Sequence, residues 1–191
     1  MEQRQVRDGA KLRGTFEVEC WRWHDQDGKR FRDSLGRFER RLMWEEKCHN
    51  LINNEGLNRL LNVMLHGATQ TATWYCAIVE TDTAPSAAQT YDVPVYTECT
   101  SYDGATRPEY VEAESTAQST TNSASKASFT INATKTIYGA ALVSINTKGD
   151  HAAQADSVLF CYATFASARS CFDDDVLNLT YTCGAADDTG V

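Results

Sequence analysis

Apolar residues change their spacing twice between the two ends of the sequence. Phe16, Val18 and Cys20 alternate with Glu17 and Glu19, the period of two that puts one side of a strand inside and the other in water. Asp27-Gly28 follows within the polar stretch His24 to Lys29, which predicts a hairpin turn. Leu42, Met43 and Trp44 begin the return strand, which ends near Cys48. Between turn and return, Arg30 to Arg41 carries Phe31, Leu35 and Phe38, a spacing that fits one face of a short helix or a long hairpin excursion. The period then becomes helical. Leu57, Leu60, Leu61, Met64 and Leu65 recur at i, i+3, i+4, i+7 and i+8, which predicts an amphipathic helix near 54–66 with its leucine face on a sheet. Asn53 or Asn54 caps its start, Glu55 complements its dipole and Gly67 closes it.

Beyond residue 70 the chain reads as β. Trp74 to Val79 is continuously apolar, as expected of a strand buried on both faces. Residues 81–106 form a long Thr-, Ala- and Pro-bearing connection, with turn signals at Ala84-Pro85, Val93-Pro94 and Asp103-Gly104. Tyr110 and Val111 open a short strand, and Ser115 to Ser128 reads as loop or exposed edge. Further strands are expected around Phe129–Ile131, over Thr136–Ile145 with Gly139 as a bulge, over Ser157–Phe165, and from Val176 to Cys183. The sum is a mainly β chain: an antiparallel β-sandwich, jelly-roll-like, with one amphipathic helix and an extended N-terminal arm. Residues 1–13 are the arm, 14–49 a β-hairpin with a basic excursion, and 50–191 the sandwich body.

Composition supports a packed core. The chain has 191 residues, of which 42% are hydrophobic, enough for one good-sized domain plus an arm or for two small domains. No apolar run approaches the roughly 20 residues that span a bilayer, so no membrane partner is expected. Met1 to Arg13 is polar and charged without an apolar h-region, unlike a secretory signal; synthesis in a cytosol and delivery by assembly are expected. Charge is split. Residues 1–50 carry 12 Lys+Arg against 10 Asp+Glu, a net +2, and residues 51–191 carry the rest, a net −10. An acidic body argues against direct nucleic-acid binding, and the basic leader suits contact with a different surface.

Candidate chemistry is sparse. GxSxG, HExxH, GxxxxGK[ST] and GxGxxG motifs do not occur. The seven Cys are scattered without a CxxC pair, so no zinc site is expected and the thiols read as buried, reduced apolar groups. Cys48 and His49 are neighbours on a strand and should diverge to opposite faces. Asp25, Asp27 and Gly28 resemble half a calcium loop, but Lys29 stands where the next oxygen ligand belongs. Asp173-Asp174-Asp175 reads as a solvated turn, with a surface cation or a partner's basic patch as the alternative. No catalytic residue, metal or cofactor is assigned. Trp21, Trp23 and Trp44 group on the hairpin, either as a small core or as an anchor for a partner among surrounding arginines. The partner-binding candidates are Arg4, Arg7, Lys11, Arg13, Trp21, Trp23, Arg37, Arg40 and Arg41.

Several stretches together resemble a family of small virion proteins of tailed phages. They are Asn50 to Asn58, Gly67 to Gln70, Thr73-Trp74-Tyr75, Arg107-Pro108-Glu109-Tyr110, Asn122-Ser123-Ala124, Ile137 to Ala140, and Asp174-Asp175 ahead of Leu177 to Tyr181. The likeness covers residues 48–183. It implies a structural, non-enzymatic role, and some members resemble the cement proteins of short-tailed phages, whose jelly-roll subunits sit across capsomer boundaries. The implied partners are the major capsid protein and further copies of the chain, as dimer or trimer, on the capsid exterior of the virion. A tail- or fibre-associated module that binds host surface glycans is the alternative. Residues 1–47 depart from the shorter members.

Overall fold

The computed structural model describes residues 10–25 and 27–187. In chain order its elements are β1 (Ala10–Arg22), β2 (Arg41–His49), β3 (Leu51–Ile52), α1 (Asn54–Leu65), β4 (Tyr75–Val79), β5 (Ser119–Thr121), β6 (Ala127–Thr130), β7 (Lys135–Val143), β8 (Leu159–Cys171) and β9 (Val176–Asp187). The strands form two antiparallel sheets. One runs β2-β1-β9-β5 with β6 also on β9, and the other runs β3-β8-β7-β4. The mainly β sandwich with a single helix matches the expectation from sequence. Among the described residues no helix is long and apolar enough to cross a membrane.

β1 and β9 pair from Ala10↔Asp187 to Trp21↔Val176, so residues 10–13, read from sequence as arm, are part of a strand. On its other side β9 meets β5 at Thr182–Gly184 and β6 at Val176–Leu179. Asn122 fills the gap between those two short strands. Its side-chain amide donates to Leu179 O at 3.1 Å and its Oδ1 accepts from Tyr181 N at 2.7 Å. The amide thus takes the place of a peptide unit in the ladder, which is why a polar residue is fully buried there.

The chain crosses from the first sheet to the second at Asn50, between β2 and β3. Asn50 N donates to Gly14 O and its side chain donates to Tyr181 Oη. A Cβ on Gly14 would lie 2.3 Å from both Asn50 Oδ1 and Tyr181 Oη, so this corner requires glycine. Inside, Phe16, Val18, Cys20, Leu177 and Leu179 of the first sheet face Cys76, Ile78, Ala140, Leu142 and Ala163 of the second. A second cluster lies on the outer face of the second sheet, where Tyr91 and Tyr96 cover Ala77, Val79, Ala141, Val143 and Tyr162. Burial on both faces accounts for the unbroken apolar run of β4.

Four local expectations are corrected. Residues 81–106 are a packed cover, with Tyr91, Tyr96, Cys99 and Tyr102 buried. The segment also lines the free edge of β4, through Glu80 N to Thr97 O and Cys99 N to Ile78 O. The leucine face of α1 does not lie on a sheet. Gly56 is its buried residue, while Leu61, Met64 and Leu65 are exposed. The Gly56 contact works because β8 carries an extra residue at Phe160, between the pairs Leu142↔Cys161 and Val143↔Leu159. Gly56 sits directly on the backbone of that bulge. The register irregularity expected at Gly139 does fall there, but the additional residues belong to β8. Asn53 precedes α1 as expected of a cap, yet its side chain makes no cap bond and donates instead to Ser86 O.

Candidate functional site

Arg30 to Arg41 forms no helix. Two turns of one design follow each other. In the first, Asp25 Oδ1 accepts from Asp27 N and Lys29 N, and Gly28 N donates to Asp25 O. In the second, Asp33 Oδ1 accepts from Leu35 N and Arg37 N, and Gly36 N donates to Asp33 O. Both glycines have φ near +77°, a region closed to most side chains. Asp-x-x-Gly therefore recurs at an eight-residue interval, a signal present in the sequence but hidden by the helix-like spacing of Phe31, Leu35 and Phe38. Phe31 N to Trp23 O and Glu39 N to Phe31 O tie the three passes into a short meander at the end of the β1–β2 hairpin.

Arginines stack on the aromatic rings of this meander. The Arg32 guanidinium lies 4.0 Å from the Phe38 ring centre, with Arg30 at 5.1 Å. Arg40 stands 4.8 Å from Trp23 and Arg41 4.7 Å from Phe31. Arg37 pairs with Asp33 while 74% of its side chain stays exposed, and Arg41 pairs with Glu39 at 52%. Fixed planar guanidiniums with free donors suit carboxylate-bearing partners. The hairpin end therefore gathers Trp23, Arg37, Arg40 and Arg41 of the expected partner-binding residues. Lys11 and Arg13 lie in β1, and Lys11 stands eleven positions before Arg22, ~36 Å along an extended strand; they belong to the other end of the sheet. Arg4 and Arg7 lie outside the described residues. The three hairpin tryptophans do not group. Trp21 gives its indole N–H to Glu19, whereas Trp44 packs edge-on against Phe165 between the sheets and donates to Ser170 O.

A buried anion anchors the base of the meander. Asp175 is fully buried, and Arg22 grips it through Nε at 2.6 Å and Nη2 at 2.7 Å. Phe172 N and the Cys20 thiol donate to the same carboxylate, and the Phe172 ring lies 4.4 Å from the Arg22 guanidinium. The Asp175 carboxylate raises the Arg22 pKa further. The neighbouring Cys171, burial and Asp175 together push the Cys20 thiol far upward. The acidic triplet is thus divided: Asp175 is internal, and Asp173 and Asp174 are exposed. These two, with Trp23, His24 and Asp25, line a cleft of about 640 Å³. Among the described residues no group of three or more His, Cys, Asp or Glu could hold a metal ion.

Cys48 faces the core, its thiol pushed up to about 12 by burial, while His49 is exposed and bonded to Thr15 Oγ1. The two side chains diverge as strand geometry requires. All seven cysteines are free, and six of them are buried. Sequence reasoning overlooks Glu98 and Arg107, which join without exposure to solvent inside the cover of the second sheet. Arg107 is the one arginine between Arg59 and Arg169, within a Thr- and Ala-rich stretch, and that isolation is the available signal. No protein-family model matches this chain. No curated protein matches it either.

Proposed function

We propose that this chain is a structural protein of a tailed-phage particle, a capsid decoration protein seated on the major capsid protein at the outer surface of the shell. The phage setting rests on the likeness carried by residues 48–183. The observation that supports docking is the exposed hairpin end, where Arg40 and Arg41 stand beside aromatic rings and Arg37 beside Asp33 on a chain of net charge −8. Interfaces concentrate arginine and aromatic side chains, and an acidic lattice face supplies the complementary charge. Exposed Leu61, Met64 and Leu65 on α1 give the apolar area for self-association as a dimer or trimer. Many weak contacts repeated over a lattice hold by avidity. Cryo-EM of particles that carry the chain tests this reading: hairpin ends in contact with the shell support it, and a chain confined to the tail sinks it.

The cleft at the base of the meander favours a second reading. Trp23 beside Asp25, Asp173 and Asp174 combines an aromatic surface with hydrogen-bond acceptors, which suits a sugar ring. A tail- or fibre-associated protein would use it on host surface glycans. Glycan-array binding that Trp23→Ala abolishes would support this reading, and a blank array would remove it.

A further inference from the structure

The helix α1 touches the second sheet mainly through Gly56, at the Phe160 bulge. Past that contact it leaves a cavity of about 300 Å³, walled by Leu60, Val63, Trp74, Leu142 and Phe160. We infer that this cavity is a binding site for a small, uncharged, mainly apolar molecule that carries one hydrogen-bond acceptor. The inference does not depend on the phage reading.

Three observations define the ligand. The walls are aliphatic and aromatic, and the volume stands at the lower end of ligand pockets (about 300–1,000 Å³), which fits a single ring system or a medium-length chain. One polar group lines the cavity without a well-placed partner. Tyr110 is 5% exposed, and its hydroxyl has no partner at full hydrogen-bond geometry, with only the Thr120 hydroxyl standing beside it. The hydroxyl of Thr120 beside it gives its own proton to Ala113 O. A buried hydroxyl left unpaired is costly, and a ligand carbonyl would accept its proton. Burial raises the Tyr110 phenol above its ordinary pKa, so it remains a donor at neutral pH. Charge at the rim selects against an anionic head group. Arg59 is committed to Thr71 Oγ1 at 2.9 Å and to Asp156 at 3.0 Å, and Glu112 adds negative charge. The walls also include Cys183, which among the described residues is the cysteine that is not fully buried.

The test uses the full chain with N-phenyl-1-naphthylamine as a fluorescent probe and 2-octanone as competitor. One saturable site per chain is expected, with 2-octanone displacing the probe. Val63→Trp fills the cavity and should weaken probe binding more than tenfold. Tyr110→Phe should weaken 2-octanone about threefold to tenfold while sparing toluene, which has no acceptor. In the unaltered chain, 2-octanone should slow alkylation of Cys183 by N-ethylmaleimide, read by mass spectrometry, so the result does not hang on the folding of a variant. Absence of saturable binding, or Cys183 alkylation indifferent to 2-octanone, overturns the site. Equal losses for 2-octanone and toluene in Tyr110→Phe overturn the acceptor assignment.

Discussion

Arg107 and Glu98 meet as a two-pronged ion pair, Nε to Oε1 at 2.8 Å and Nη2 to Oε2 at 2.6 Å, with neither side chain more than 1% exposed. Burial works against the charge on Arg107, but the Glu98 carboxylate outweighs it and raises the Arg107 pKa. The same guanidinium donates to Tyr91 Oη, Ile145 O and Asp150 O, and Glu98 also accepts from Gly149 N. One ion pair thereby fastens two connections onto the outer face of the second sheet. Removing one partner strands a buried charge, which costs about 3–5 kcal/mol. Arg107→Met should lower the free energy of unfolding by that amount in urea titrations. Arg107→Met with Glu98→Gln should cost less than Arg107→Met alone.

Asn122 should resist replacement because its side chain completes the ladder beside β9. Asn122→Ala leaves Leu179 O and Tyr181 N buried without partners, at about 1–3 kcal/mol each. Asn122→Asp restores only the acceptor, so it should fall between the two. Chemical denaturation of the three proteins checks the order.

Gly56→Ala is expected to destabilise, against the ordinary preference of a helix for alanine, about 1 kcal/mol. The added Cβ would lie 2.5 Å from Phe160 O and 2.8 Å from Phe160 Cα. Helix and bulge must then separate. Thermal unfolding should show a lower Tm, and an unchanged or higher Tm would contradict the contact.

His151 supplies a pH dependence. A carbonyl can only accept, so Nδ1 carries the proton that Tyr91 O receives at 3.1 Å. Burial lowers the His151 pKa below 6.5, and Glu98, 3.7 Å from Nε2, opposes that only in part. The folded chain therefore binds the second imidazole proton, at Nε2, less tightly than the unfolded chain. Its contribution to stability is intact above pH 6.5 and is lost as pH falls below 6.5 toward the lowered folded value. Urea midpoints should decline over that window, and His151→Gln should flatten the decline.

The long strands were legible because each obeys a simple rule of exposure, whereas β3 and β5, two and three residues long, are too short to show a period. Tyr110 and Val111, expected to open a strand, form none. β1 alternates with one face in water, and β4 is unbroken because Tyr91 and Tyr96 cover its outer face. The helix was legible in its period but not in its orientation, since the contact is made by Gly56, which has no side chain to enter the count. Residues 81–106 read as a connection because buried tyrosines at irregular intervals have no period, and an ion pair joined across nine residues has none either. At the hairpin, composition pointed to an arginine and aromatic surface, and geometry gathers Trp23, Arg37, Arg40 and Arg41 there. It separates Trp44 because Cys20↔Trp44 places that ring on the inner face, and it separates Lys11 and Arg13 by the length of β1. Asp175 left the acidic triplet for the interior because Arg22 lies opposite it, a pairing across 153 residues that local reading does not reach.

The docking claim is tested most directly by binding the purified chain to phage shells stripped of it, alongside Arg37→Ala/Arg40→Ala/Arg41→Ala. Predicted is a loss of occupancy of more than tenfold for the triple variant, and binding by the unaltered chain that weakens as salt rises. Equal occupancy by both proteins, insensitive to salt, would contradict it.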